Sequence, residues 1–445
     1  MNKCTIDDLP SEILSQIFVS LNEASLHARS IWDDSYGLMH YPTLCSSVCS
    51  RWRRIAISTP LLWSYLDYTT AGNKLQHLEH VDLSFHRAQS VPLRIRIGKF
   101  SNPCIRRDVG PRLGLNLRSS APRLQSLAIL CIRYDFLKRV LSTLFSEGVI
   151  VPLAALALEI HSETGIVADS ETLSQEHLNQ LFEPLHSLYL QSVVPDWNQL
   201  SCRNLVELQI LYPPEDGSPN TQQLVNLLRA NQTLRSIKFC QFHHPSAPPR
   251  LPYQSILLPN LEKLDLNCMD KAFIDWFLSG LVPGSHDLEI SLAFYPMKNR
   301  PDITNSLLAL CKRARITSFE IWGDELSLSP FYDHLPHLRN LRLTSRVLLE
   351  STLAGLQKAV HPLPQLDTLE LISCGHDGSG LGWLRTICEI QSFRTIKLRS
   401  SHIKLDGRKL EPEEVIGWIT ESCGNSEVQV VQSPDLSFFG SCFAL

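Results

Sequence analysis

The apolar side chains of this 445-residue chain fall into two rhythms. In the first, DDLPSEILSQIFVSL, Ile13, Leu14, Ile17, Phe18 and Leu21 recur at i, i+1, i+4, i+5 and i+8, which is one face of a helix. Pro10 suits the first helical position, where its missing N–H costs nothing, and Asp7 and Asp8 stand at the positive end of the helix dipole. A second stripe of Leu44, Val48, Trp52 and Ile55 or Ala56 predicts another helix. Thr59-Pro60 ends it, because the residue before a proline avoids the α region. Arg51, Arg53 and Arg54 fall mainly off the stripe, and Leu62, Trp63 and Leu66 are spaced to dock back onto both helices.

From about residue 120 the rhythm changes to a recurring phrase of the form L-x-x-L-x-L. It reads APRLQSLAIL, FEPLHSLYLQS, CRNLVELQIL, NQTLRSIKFC, LPNLEKLDLNC, ARITSFEIWG, LPHLRNLRLTS, LPQLDTLELISC and SFRTIKLRSS, with weaker copies VPLAALALEI and SHDLEISLAF. In LEKLDLN, Leu264 and Leu266 are two apart and share one face of a strand, so Lys263, Asp265 and Asn267 point the other way. Helical patterns such as TQQLVNLLRANQ, DKAFIDWFLSG, NSLLALCKRA and GWLRTICEIQ lie between the phrases. The phrase and its period, mostly a little under about thirty residues, are the signature of leucine-rich repeats. The fold class expected is therefore α/β: a small all-helical N-terminal domain, then an irregular horseshoe with a parallel sheet on its concave side and helices on its convex side.

The reading divides the chain into residues 1–66 (helical domain), 67–120 (connecting helix and first-repeat cap), 121–425 (repeats) and 426–445 (cap or tail). Within 67–120, LQHLEHVDLSFHRAQS reads as a helix, VPLRIRIG as a strand and KFSNPCIRRDVGPR as a loop. FHHPSAPPRLPYQ at 242–254 reads as a loop inserted into the array. Leu127, Leu188, Leu208, Leu264, Leu341 and Leu369 share the inward slot of their phrases. The outward slot holds Ala128, Tyr189, Gln209, Lys238, Asp265, Glu320, Arg342, Glu370 and Lys397, with Trp322 one strand step beyond Glu320. Exposed aromatics beside Arg have the composition of interface hot spots, so Tyr189, Trp322, Arg342, Glu370 and Lys397 are the candidate target-binding residues.

Composition narrows the function classes. A formal charge of −4 gives no sequence-wide attraction to phosphate, which favours packing over base stacking for Trp52 and Trp63, and no nucleic-acid partner is expected. The N-terminus has acidic residues where a secretory signal needs basic ones. The longest apolar run, GVIVPLAALAL, is shorter than the about 20 residues of a membrane span and contains a proline. The 13 cysteines are scattered through apolar segments, as reduced core residues of a cytoplasmic or nuclear protein would be.

Searches for chemistry return little. No Walker A string, HExxH, paired CxxC or EF-hand loop occurs. Cys45 and Cys49 lack a second ligand pair, and His243-His244 adjoins a proline-rich loop that reads as solvated. GHDGSGLG at 375–382 lacks the Lys-Ser/Thr of a phosphate cradle and reads as a strand-to-helix loop, with Ser379 as a cap. Cys442-Phe443-Ala444-Leu445 fits only loosely the prenylation pattern, with no polybasic run before it. No metal, no cofactor, no membrane partner and no catalytic residue is expected.

The ordered string Leu9-Pro10-x-Glu12-Ile13-Leu14-x-x-Ile17-Phe18, then Val48-Cys49-x-x-Trp52-Arg53-x-Ile55-Ala56, then Thr59-Pro60-x-Leu62-Trp63, resembles an F-box over about residues 6 to 66. It is most similar to the fungal kind, where a Thr-Pro-x-Leu-Trp tail is common. The spacer NEASLHARSIWDDSYGLMHYPT is longer than that family's usual one and leaves the middle helix unassigned. Trp32 and Tyr36 either join the helical core or form an extra loop. An F-box followed by leucine-rich repeats resembles the substrate-recognition subunits of Skp-cullin-F-box ubiquitin ligases. The resemblance implies a non-catalytic chain that grips the Skp adaptor, and through it a cullin, and presents an unknown protein target. It implies adaptor contacts among Leu9, Pro10, Ile13, Leu14, Ile17, Phe18, Val48, Trp52 and Ile55, some of which must instead be core. The rival readings are a repeat scaffold that binds the adaptor without building a ligase, and a receptor gated by a small molecule.

Overall fold

The computed structural model describes residues 6–28, 41–68, 75–98, 113–131, 134–145, 151–160, 166–168, 175–214, 217–241, 255–294, 303–322, 330–344, 365–372, 375–376, 393–399, 402–405, 408–409, 411–423 and 427–431. They belong to two compact units, residues 1–205 and 206–445.

The first unit opens with three helices, α1 (Ser11–Ala28), α2 (Tyr41–Val48) and α3 (Ser50–Ile57). α1 follows the predicted stripe: Leu14 and Phe18 are fully buried, and the Leu14 N–H donates to the Pro10 carbonyl at 3.1 Å. α2 takes up the end of the long spacer, while Trp32 and Tyr36 lie outside the described residues. The stripe from Leu44 to Ala56 is not one helix. It breaks at Cys49, which is extended (φ −154°, ψ 172°) and caps α3, its Sγ accepting from the Trp52 N–H at 3.4 Å. Arg53 Nε takes the Ser46 carbonyl at 2.8 Å, which a continuing helix would give to the Ser50 N–H, while Ser46 Oγ and Ser47 Oγ bond back to Pro42 O at 2.7 Å and Leu44 O at 2.8 Å within α2. The break leaves Val48 60% exposed, whereas Ile55 and Ala56 are buried.

Thr59 closes α3 by giving its hydroxyl to the Ile55 carbonyl at 2.7 Å, and Ser15 Oγ of α1 lies 2.9 Å from it. The chain then docks back as expected, with Leu62, Trp63 and Leu66 buried. Trp63 Nε1 donates to Ala56 O at 2.7 Å. The Arg87 guanidinium, at the end of α4 (Leu75–Arg87), lies 4.3 Å above the same indole.

Strands β1 (Tyr65–Asp67), β2 (Leu93–Ile97), β3 (Leu124–Cys131), β4 (Ala155–Ile160) and β5 (Ser187–Gln191) form a parallel sheet in chain order. Helices at 113–120, Tyr134–Phe145 and Gln175–Phe182 come between them. β1 was not anticipated: the docking tail itself starts the sheet.

The second unit repeats the plan. Its sheet is β6 (Glu207–Leu211), β7 (Ser236–Cys240), β8 (Lys263–Met269), β9 (Asp287–Phe294), β10 (Arg315–Trp322), β11 (Asn340–Thr344), β12 (Thr368–Ile372), β13 (Thr395–Arg399) and β14 (Glu427–Val431). These too pair parallel with their neighbours in chain order. Helices Thr221–Ala230, Lys271–Gly280, Thr304–Arg313 and Pro412–Cys423 lie between strands. Three of them match helical patterns in the sequence, whereas GWLRTICEIQ lies outside the described residues. The 242–254 loop and Ser379 also lie outside them.

The predicted register is met. Leu208, Ile237, Leu264, Ile290, Phe319, Leu341, Leu369 and Ile396 are matched strand to strand, and each is at most 2% exposed. Leu127 and Leu188 hold the equivalent slot in the first unit and are fully buried. Phe239 shows what covers this face: its ring lies 6.5 Å from Phe273 and 6.0 Å from Phe277, both on the helix Lys271–Gly280. The mixed α/β architecture of N-terminal helices followed by a large open parallel sheet is thus observed.

A further repeat appears only in the backbone. Ser192, Tyr212, Gln241 and Cys268 stand four residues after Leu188, Leu208, Ile237 and Leu264, and all have φ between 50° and 53°. This left-handed turn takes the chain off each strand; Tyr212 N–H donates to Cys240 O at 2.9 Å, and Gln241 N–H to Asn267 O at 3.0 Å. Side chains other than glycine's are strained there by about 1 kcal/mol. Gln241→Gly is therefore expected to raise stability by about 0.5–1 kcal/mol in chemical denaturation.

Candidate functional site

The helices of the first unit sort the F-box-like residues by burial. Leu14, Phe18 and Ile55 are core, at 0%, 1% and 6% exposure. Leu9, Ile17 and Trp52 are half-buried, with the Trp52 ring 4.7 Å from that of Phe18. Arg51 does not simply face solvent: it is half-buried, and its guanidinium donates to the Leu9 carbonyl, fixing the Leu9-Pro10 entry against α3. Pro10, Ile13 and Val48 are exposed.

More apolar side chains than these stand in solvent. Ile6, Leu21, Leu44, Ile57 and Leu61 are each between 39% and 51% exposed. Sequence reasoning placed Leu44 and Leu21 on packing stripes, and the signal it missed for Leu44 is the break at Cys49, which ends α2 at Val48. So many aliphatic side chains left in water over so short a stretch make this segment a candidate docking surface.

The second candidate surface is the uncovered face of the β6–β14 sheet. The outward slot is in register from Gln209 through Lys238, Asp265, Ser291, Glu320, Arg342, Glu370 and Lys397 to Gln429. Trp322 stands between Ala293 and Thr344, two residues past Glu320, and is half-buried. A groove of about 420 Å³ runs over this face, lined by Asp265, Ser291, Glu320, Arg342, Glu370 and Lys397 among others.

Charges alternate across the strands. Lys238 Nζ lies 3.2 Å from Asp265, and Arg342 bridges Glu320 at 3.0 Å and Glu370 at 2.8 Å. Arg399 reaches the other oxygen of Glu370 at 2.5 Å. Burial works against the charged Arg342, but Glu320 and Glu370 outweigh it and hold its pKa above the ordinary guanidinium value. Glu370 is thus the 7%-exposed hub of an ion network rather than a free recognition group. Glu370→Gln is expected to cost about 1–3 kcal/mol in thermal unfolding, below the figure for a fully buried pair because both arginines keep water contact.

Tyr189 departs from its expected role. It occupies the outward slot, yet it is 5% exposed, and its hydroxyl donates to Gln191 Oε1 while Gln191 Nε2 donates to Glu159 at 3.3 Å. In the first unit this face is covered: Arg96, Ala128 and Ala157 in the same row are also buried. The strand pattern reports which face a residue takes, not what lies over that face.

The described cysteines behave as core. Cys45, Cys202, Cys240, Cys268 and Cys311 are buried free thiols, and burial pushes Cys202 and Cys311 up to about 12. Cys49 is exposed and separated from Cys45 by the helix break. Among the described residues no cluster of His, Cys, Asp or Glu is arranged to hold a metal ion, and no helix is long and apolar enough to cross a membrane. His243, His244 and Cys442 lie outside those residues.

No curated protein matches the chain. Residues 6–69 match the family model described as F-box-like, so the helical N-terminal segment, its docking tail and the first strand together form an F-box-like domain.

Proposed function

We propose that this protein is the substrate-recognition subunit of a Skp-cullin-F-box ubiquitin ligase. Its F-box-like domain docks the Skp adaptor, and the strand–helix array, read as leucine-rich repeats, carries the target. The observation that supports this most is the coincidence of the family match at 6–69 with exposed Pro10, Ile13, Leu44 and Val48 on the same helices. Leu14, Phe18 and Ile55 serve as core, while Leu9, Ile17 and Trp52 hold the exposed residues in place.

Catalysis in such an assembly is proximity. Holding a target lysine beside a ubiquitin thioester raises their effective concentration, and no residue of this chain makes or breaks a bond. Target contacts are assigned to Trp322, Arg342 and Lys397 on the open sheet face, with Glu370 fixing Arg342. Tyr189, being buried, shapes its own unit instead.

The test is affinity capture of the full chain with proteasome and neddylation inhibitors present, followed by ubiquitination of the captured target. Trp322→Ala with Arg342→Ala should remove the target and retain the adaptor. A target held undiminished by that variant would place recognition elsewhere.

A further inference from the structure

The exposed aliphatic side chains of the N-terminal helices stand on separate bodies. Ile13, Ile17 and Leu21 recur at i, i+4 and i+8 on α1, with Ile13 and Leu21 42% and 50% exposed. Leu44 and Val48 stand on α2, which is tied to α3 where Arg53 Nε donates to Ser46 O at 2.8 Å. A partner can cover both sets at once only if α1 keeps one position against α2 and α3. Burial of Leu14 and Phe18 holds the helices together, but it is non-directional and sets that position loosely. Hydrogen bonds are directional and set it closely.

Among the described residues such bonds stand at both ends of α3. At its start, the half-buried Arg51 guanidinium donates to the Leu9 carbonyl. Pro10, the next residue, gives its carbonyl to the Leu14 N–H at 3.1 Å, so the Leu9 carbonyl falls just outside the helical ladder and Arg51 supplies its partner. Past the other end, Thr59 is buried and sends its hydroxyl proton to the Ile55 carbonyl at 2.7 Å. A hydroxyl has one proton, so in the 2.9 Å contact between them Ser15 of α1 donates and Thr59 accepts. The Trp52 ring, 4.7 Å from that of Phe18, packs the same two helices.

We infer that Arg51 and Thr59 are positioning residues for the adaptor surface, holding α1 where Ile13, Leu21, Leu44 and Val48 present one face to the partner. The inference rests on the reading of the F-box-like domain as the adaptor-docking part, and it names the residues that preorganise that domain. Without a clamp α1 leaves its place for part of the time, and only the competent fraction binds. The signature is kinetic. Losing a contact with the partner mainly speeds dissociation. Losing a clamp slows association instead, because in the complex the partner itself holds both helices.

The test measures association and dissociation of the full chain with the purified Skp adaptor by surface plasmon resonance, at low and at physiological salt. Arg51→Met with Thr59→Val, which keeps the bulk of both side chains, should slow association at least about tenfold and leave dissociation within about twofold. Ser15→Ala, the mildest change, should slow association by a smaller and measurable factor. Thr59→Ser keeps both hydrogen bonds and should restore the wild-type rate. Arg51→Met alone should keep the wild-type salt dependence, since a positioning guanidinium makes no charge contact with the adaptor. Hydrogen exchange of the free chain gives a reading without a partner. Amides from Leu14 to Phe18 should exchange at least about tenfold faster in the double variant, while those of Ile95 and Leu127 in the sheet keep wild-type rates. A folded wild type that fails to bind the adaptor would remove the ligase reading, and exchange alone would then decide the positioning role. Faster dissociation at unchanged association, a salt dependence that weakens in Arg51→Met, or unchanged exchange in the double variant would each overturn the inference.

Discussion

Phe239→Ala is expected to cost the second unit about 3–5 kcal/mol, the range for emptying a buried aromatic site. The residue is fully buried in β7 and meets Phe273 and Phe277 of the helix that follows the next strand. Phe273 and Phe277 are themselves stacked, 5.9 Å apart, so neither can swing into the vacated volume without giving up its partner. In an array where each repeat buries its apolar face only against its neighbours, the loss spreads along the stack. Hydrogen exchange at the amides of Ile237 and Leu264, beside the cavity, should report it before global unfolding does. A loss below about 1 kcal/mol would mean that helix and sheet are not packed through this ring.

The second large effect concerns binding. Ile13→Asp with Val48→Asp is expected to abolish adaptor capture, a drop of about a hundredfold or more, while leaving the melting profile nearly unchanged. Both side chains already stand in water, at 42% and 60% exposure, so a charge there costs the folded chain little. Buried in an apolar interface, two unpaired carboxylates cost several kcal/mol. Leu14→Asp is the contrasting control, because Leu14 is fully buried and its replacement should unfold the domain. Retained capture by a well-folded Ile13→Asp, Val48→Asp chain would remove this surface from the adaptor interface.

What was legible in the sequence follows from periodicity. The L-x-x-L-x-L phrase fixes which residues share a strand face, so the burial of Leu208, Leu264, Leu341 and Leu369 and the charged row opposite them follow from the sequence. The first helix was legible for the same reason. The break at Cys49 was not, because the apolar stripe runs straight through it, and only the extended Cys49 backbone and its cap on Trp52 N–H show where one helix stops and the next begins. That break decides the candidate site, since it turns Leu44 and Val48 outward. Strand β1 was hidden because Tyr65–Asp67 is three residues long and follows a proline-started turn. Tyr189 was misjudged because alternation names a face without saying what covers it. In the ion network the register predicted that Glu370 would neighbour Arg342 and Lys397, but not that Arg399 would take its second oxygen.

The central claim, that the F-box-like domain makes this chain an adaptor-bound ligase subunit, is tested most directly by mixing the purified wild-type chain with the Skp adaptor and the cullin and resolving the mixture by size-exclusion chromatography. The account predicts that the chain and adaptor elute as one equimolar complex, and that cullin joins this complex only when the adaptor is present. A folded chain that elutes alone, with adaptor and cullin together in a separate peak, would contradict it.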